Sequence, residues 1–115
     1  MLLFVGLGNP GPDYAKNRHN AGFMAVDRLA EQHGFSDWKA KSGAHVATGQ
    51  LARTKVILAK PQSYMNRSGL PAAEIARFYK IPANDIFVFY DEIDLAIGKL
   101  LIKQAKFRNC YYVSV

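Results

Sequence analysis

Val5-Gly6-Leu7-Gly8-Asn9-Pro10-Gly11-Pro12 is the stretch whose reading decides the fold, together with the His19-Asn20 pair that follows it. Residues 1–7 are apolar apart from Gly6 and then give way to glycine, proline and polar side chains. A short apolar run rich in β-formers reads as a buried strand. The glycines and prolines end it and turn the chain. In open α/β sheets ligands bind beyond the carboxyl ends of strands, so Asn9, Tyr14 and His19 stand where a site belongs.

Working outward, residues 21–33 carry Phe23, Met24, Val26, Leu29 and Ala30 at the spacing of one helical stripe. Asn20 suits the N-cap and Gly34 the stop. Residues 35–42, with Trp38 among charged neighbours, read as loop. The runs 44–51 and 55–59 read as two strands joined by a turn at 52–54, a hairpin. Lys60-Pro61-Gln62-Ser63-Tyr64-Met65-Asn66 reads as a loop after the second strand. Residues 71–79 read as a helix with Pro71 in its first turn, closed by Pro82. Ile86-Phe87-Val88-Phe89-Tyr90 is a continuous apolar run, the pattern of a strand buried on both faces, and ends at Asp91. Residues 98–103 form a last expected strand. The order β, α, β, β, α, β, β implies an α/β domain: a mixed β-sheet flanked by helices. Polar clusters then follow three strand ends: Asn9 with His19, Tyr64 with Asn66, and Asp91.

The chain has 115 residues, the length of one domain; half are hydrophobic and 21% charged. No apolar run reaches the roughly 20 residues of a membrane helix, and no basic segment precedes the first one, so neither a span nor a signal peptide is expected. The single cysteine, Cys110, excludes an internal disulfide and fits a cytoplasmic setting. The formal charge is +6, and residues 1–84 hold eleven Lys and Arg against five Asp and Glu. The remaining residues balance at four against four. A localised positive field suits a phosphate backbone as partner.

Gly6-x-Gly8-x-x-Gly11 matches the dinucleotide fingerprint, but two prolines occupy the loop and the helix starts late. No acidic residue closes a second strand, so dinucleotide binding is disfavoured. His33 and His45 read as surface histidines. His19, in a glycine-bounded loop at a strand end, can take a proton from water if a carboxylate holds its tautomer. Asp91, the first polar residue after the apolar run, is the candidate carboxylate; Glu92 and Asp94 read as solvated. No serine has a nucleophile-elbow context and no ligand set has metal spacing, which leaves water as the nucleophile. Asn9 and Asn66 can grip an amide or carbonyl, or simply form turns.

Val5-Gly-Leu-Gly-Asn-Pro-Gly11, Tyr14, Asn17-Arg-His-Asn-Ala-Gly22, Lys60-Pro-Gln-Ser-Tyr-Met-Asn-Arg-Ser-Gly69 and Tyr90-Asp-Glu-Ile-Asp-Leu95 together resemble the bacterial peptidyl-tRNA hydrolase family, over residues 1–103. The resemblance implies hydrolysis of the ester joining a peptide to the 3′-terminal ribose of tRNA, which recycles tRNA from aborted translation. It implies His19 as general base, Asp91 as its orienting partner, and Asn9 as the group that distinguishes N-blocked substrates. Asn66 would bind substrate, with Met65 lining the site. Tyr14 and Tyr64 would contact the tRNA end, where either ring can stack on a base. Lys103 would face tRNA phosphate. No cofactor or metal is implied, and a cytoplasmic monomer is expected.

After Lys103 the resemblance stops. Residues 104–115, Gln-Ala-Lys-Phe-Arg-Asn-Cys-Tyr-Tyr-Val-Ser-Val, replace the family's glycine-rich segment with its His-Asn-Gly run, and Asn109 does not inherit that asparagine's role. This predicts a hydrolase-like domain over 1–103 and a divergent tail over 104–115, produced by truncation or a change of reading frame. The sheet is then expected to be incomplete at its C-terminal end, with apolar faces such as 86–90 and a sheet edge uncovered. Tyr111, Tyr112 and Val113 could add a strand there or drive association. The alternative to a hydrolase is an inactive form that keeps only tRNA binding.

Overall fold

At the centre of the sheet lies β1 (Leu2–Gly6), hydrogen-bonded on both edges. The structure, a computed structural model, describes residues 1–8, 21–62, 69–90, 101–104 and 111–114. In chain order the other elements are α1 (Ala21–Gln32), β2 (Lys39–Lys41), β3 (Ala44–Leu51), β4 (Thr54–Pro61), α2 (Gly69–Phe78), a 3₁₀ turn (Ala83–Asp85), β5 (Ile86–Tyr90), β6 (Leu101–Gln104) and β7 (Tyr111–Ser114). They build one seven-stranded sheet in the order β2-β3-β4-β1-β5-β7-β6. β1 runs parallel to β4 and to β5, with Val5 level with Ala59 on one side and Val88 on the other. The β2-β3 and β3-β4 pairs are antiparallel, as is β6-β7, while β7 runs parallel to β5. The mixed sheet with flanking helices is thus the architecture that the element order implied.

Alternation along the strands sorts side chains onto two faces. Leu3 and Val5, Ile57 and Ala59, Ala44 and Val46, and Val88 join Ile75, Ala76 and Ile81 in a core beneath α2. Val56, Leu58 and Ala47 join Val26 in a second core beneath α1, with Leu2, Phe4, Leu29 and Trp38 around it. Helices on opposite faces make a three-layer α/β/α arrangement. Among the described residues no helix is long and apolar enough to cross a membrane.

Three local readings need correction. Residues 39–41, read as loop, form β2: a two-residue turn at Ser42 and Gly43, φ 51° and 77°, folds them onto β3. A three-residue edge strand of lysines and alanine carries no apolar alternation to betray it. Lys60 and Pro61, also read as loop, extend β4, paired with His45 and Ala44. In β5 only Val88 is buried; it joins the α2-side core, whereas Phe87 and Phe89 lean on Phe4, centroids 5.5 and 5.2 Å away, and stay half-buried. Finally, of the two outcomes expected at the sheet edge the added strand is the one found, so β5 is not left with an open edge. The tail forms β7, which inserts between β5 and β6 and pairs with both.

The hairpin and the helix stops follow the sequence closely. Ala52 and Arg53 take φ 48° and 68°, the geometry of a tight two-residue hairpin turn, and Thr54 already belongs to β4. Gly34 ends α1 at φ 66°, and the Phe35 N–H donates to the Ala30 carbonyl at 3.1 Å, closing the last turn. Asn20, the expected cap, and the first three residues of the expected 98–103 strand lie outside the described residues.

Candidate active site

The carboxyl ends of β4, β1 and β5, three adjacent parallel strands, open onto one edge of the sheet. Neighbouring strands lie about 4.8 Å apart, so the three ends fall within about 10 Å of one another. From them leave the segments that hold Asn9, Tyr14 and His19, then Tyr64, Met65 and Asn66, then Asp91. These seven residues lie outside the described residues; their anchor points do not.

Those anchors are drawn together by an unusually close backbone approach. The Leu7 N–H donates to the Phe89 carbonyl at 2.9 Å, extending the β1-β5 ladder to the edge. Gly22, in the first turn of α1, sits directly on that bond: a Cβ there would lie 2.3 Å from the Phe89 oxygen and 2.6 Å from the Leu7 nitrogen. Gly6 completes the fit from below, since a Cβ on it would come within 2.4 Å of the Gly22 oxygen. Only hydrogen at both positions lets helix and strands meet backbone to backbone. Asn9 follows Leu7 by two residues, His19 precedes Gly22 by three, and Asp91 follows Phe89 by two. The three anchors Leu7, Gly22 and Phe89 meet at one point of contact.

The β4 end is tied to α1 by charge. Lys60 Nζ donates to Asp27 Oδ1 at 2.7 Å, with the lysine only 15% exposed and the aspartate 42%. The ammonium also lies 4.2 Å from the centre of the Trp38 ring and 6.0 Å from that of Phe23. Gln62 continues the restraint: its Nε2 donates to the Lys60 carbonyl and its backbone N–H to Gly43. Sequence reasoning found neither this pair nor the glycine contact. Lys60 and Asp27 are 33 residues apart, and a glycine one residue into a helix reads only as a weak helix former.

Lys103 belongs to β6, at the margin of the sheet. It is level with Tyr112, and through it with Val88, two positions inside the edge marked by Tyr90, Ser114 and Leu101. Among the described residues no group of three or more His, Cys, Asp or Glu side chains is gathered to hold a metal ion.

A mixed sheet covered on both faces, with three adjacent parallel strands ending in polar segments at one edge, makes this an open-sheet α/β protein of the kind that binds ligands at strand carboxyl ends. The family model described as peptidyl-tRNA hydrolase matches residues 3–110, and the chain belongs to that family. It is 57% identical over 103 residues to a peptidyl-tRNA hydrolase of Ruegeria pomeroyi and 55% identical to one of Dinoroseobacter shibae, in each case over 90% of this chain. Those alignments cover 43% and 44% of the two relatives, so the chain spans less than half their length. The crystal structure of peptidyl-tRNA hydrolase from Acinetobacter baumannii superimposes with a TM-score of 0.92 at 31% identity, over 99% of this chain and 66% of that one. The family match ends at residue 110, but the likeness of shape covers nearly the whole chain, β7 with it.

Proposed function

We propose that this chain hydrolyses the ester linking a peptide to the 3′-terminal ribose of tRNA, by attack of a water molecule that His19 activates. The observation that carries the reading is the triple contact of Leu7, Gly22 and Phe89, from which Asn9, His19 and Asp91 all lead away within three residues. Family membership supports the same reaction. In this scheme the neutral His19 imidazole takes a proton from water as the oxygen attacks the ester carbonyl. Asp91 accepts a hydrogen bond from the other ring nitrogen, fixing the tautomer and stabilising the imidazolium. The proton then passes to the departing ribose oxygen. Asn9 reads the blocked amine, Asn66 orients the substrate and Met65 lines its path. Tyr14 and Tyr64 stack on the terminal bases, and Lys103 meets a phosphate. The protein acts as a cytoplasmic monomer and uses no metal.

Release of N-acetyl-aminoacyl groups from tRNA tests this directly. The chain should release them while sparing an unblocked aminoacyl-tRNA, and His19→Ala should slow release by about 10²–10⁴-fold, the weight of a general base. Equal rates for the chain and the variant would overturn the catalytic reading. Retained tRNA binding in that case would mark the chain as a binding form without turnover.

A further inference from the structure

Four of the eleven basic residues within 1–84 belong to two elements that meet at one contact, β2 and the end of α2: Lys39, Lys41, Arg77 and Lys80. Lys39 and Lys41 share a face of β2, because alternation places every second residue together. That face is the α2 side: Lys41 Nζ lies 3.3 Å from the centre of the Phe78 ring and 5.9 Å from that of Tyr79. Arg77 and Lys80 flank the same two rings in sequence, and both are exposed, as is Lys39. The nearby acids in sequence are Glu74, one turn up the helix, Asp37, two residues before Lys39, and Asp85, in the 3₁₀ turn after α2. The four cations outnumber the three acids.

Phe78 is 60% exposed, more than Met1 or Met24, the other exposed large apolar side chains among the described residues. Tyr79 meets it edge-on, ring centres 5.0 Å apart. An exposed phenyl ring at a helix end has a use here, since it holds the lysine. A cation over a ring engages one side of the ammonium and leaves N–H donors on the other, now fixed in direction. The flank also starts at the right height. Lys41 is level with Ala44, and Ala44 with Pro61, the strand end from which residues 63–68 depart. Two strand spacings, about 10 Å, separate β2 from β4.

We propose that this flank, Lys39 and Lys41 on β2 with Arg77, Phe78 and Lys80 at the end of α2, binds the phosphate backbone of tRNA at a distance from its 3′ end. The proposal rests on the hydrolase reading for the identity of the RNA, and supplies an anchor outside the reaction centre. It predicts that the flank governs affinity for the whole tRNA and leaves the chemical step alone.

The test compares the chain with a Lys39→Glu/Lys80→Glu double variant and with Phe78→Ala, all checked by urea unfolding. Binding of uncharged tRNA across a salt series should weaken at least tenfold in the double variant, with a log–log salt slope shallower by about two. Phe78→Ala, which frees Lys41 without removing charge, should weaken binding less and keep the slope. In turnover, KM for N-acetyl-aminoacyl-tRNA should rise at constant kcat. KM for the same ester on a short 3′-terminal oligonucleotide should not move. Unchanged tRNA affinity and slope in a folded double variant would overturn the proposal, and so would equal affinity of the flank for polyglutamate. If no ester is released by any form, the hydrolase reading fails, while the binding arm still decides the flank.

Discussion

Gly22 is the residue on which most depends. Its backbone lies against the Leu7–Phe89 hydrogen bond, and any side chain would meet main-chain atoms that cannot swing aside. Gly22→Ala should therefore destabilise the protein by about 2–3 kcal/mol, the range of overpacking a tight core. Gly34→Ala is the control: a Cβ there meets nothing within 4 Å, so only the φ of 66° opposes it, costing about 1–2 kcal/mol. Urea midpoints of the two variants check the difference, and activity should fall with the first only. At this scale the sequence showed which polar residues follow which strands, because apolar runs ending in glycine or an acid are visible in a line of text. It hid the meeting of Gly6 with Gly22 and of Lys60 with Asp27. Those depend on distant segments and leave no periodic trace.

Among the elements, α2 ends in a cap built on the wrong residue for comfort. The Ile81 N–H donates to the Ala76 carbonyl at 2.8 Å and the Lys80 N–H to Arg77 at 3.2 Å, with Lys80 at φ 57°. This is the reciprocal pair of bonds that usually rests on glycine. Lys80→Gly should raise stability by up to about 1 kcal/mol in chemical denaturation, since it removes the left-handed penalty on a side chain. It should also weaken tRNA binding slightly, as one flank charge goes. The helices and the β3-β4 hairpin were legible because amphipathic spacing and turn chemistry are local. β2 was not, being two lysines and an alanine whose pairing is imposed by the next strand. β5 showed its strand character plainly, but its degree of burial depended on neighbours outside the run.

For the whole molecule, the strand that matters most is β7. Residues that match no family pattern nevertheless pair in register with β5, Phe87 with Tyr111 through Tyr90 with Ser114, and hold β6 on their other side. The β-forming composition of 111–113 made a strand conceivable; its position inside the sheet could not be read from it. Proline at 112 removes a ladder donor from an interior strand. Tyr112→Pro should release β7 and β6 together, bare the edge of β5, and turn a concentration-independent unfolding curve into one that shifts with protein concentration as exposed edges pair. Light scattering alongside the melt checks it.

The central position of β1 has a consequence for how the protein is made. It leaves the ribosome before every strand it pairs with, and those partners arrive late: Leu2 pairs with Val56 and Leu3 with Ile86, roughly fifty and eighty residues downstream. Until then this apolar segment has no strand neighbour, and the nascent chain must be shielded while it waits. The β3-β4 hairpin can form early and offers β1 its first edge. β5 then closes the second, and only with it do the starting points of the three site segments come together.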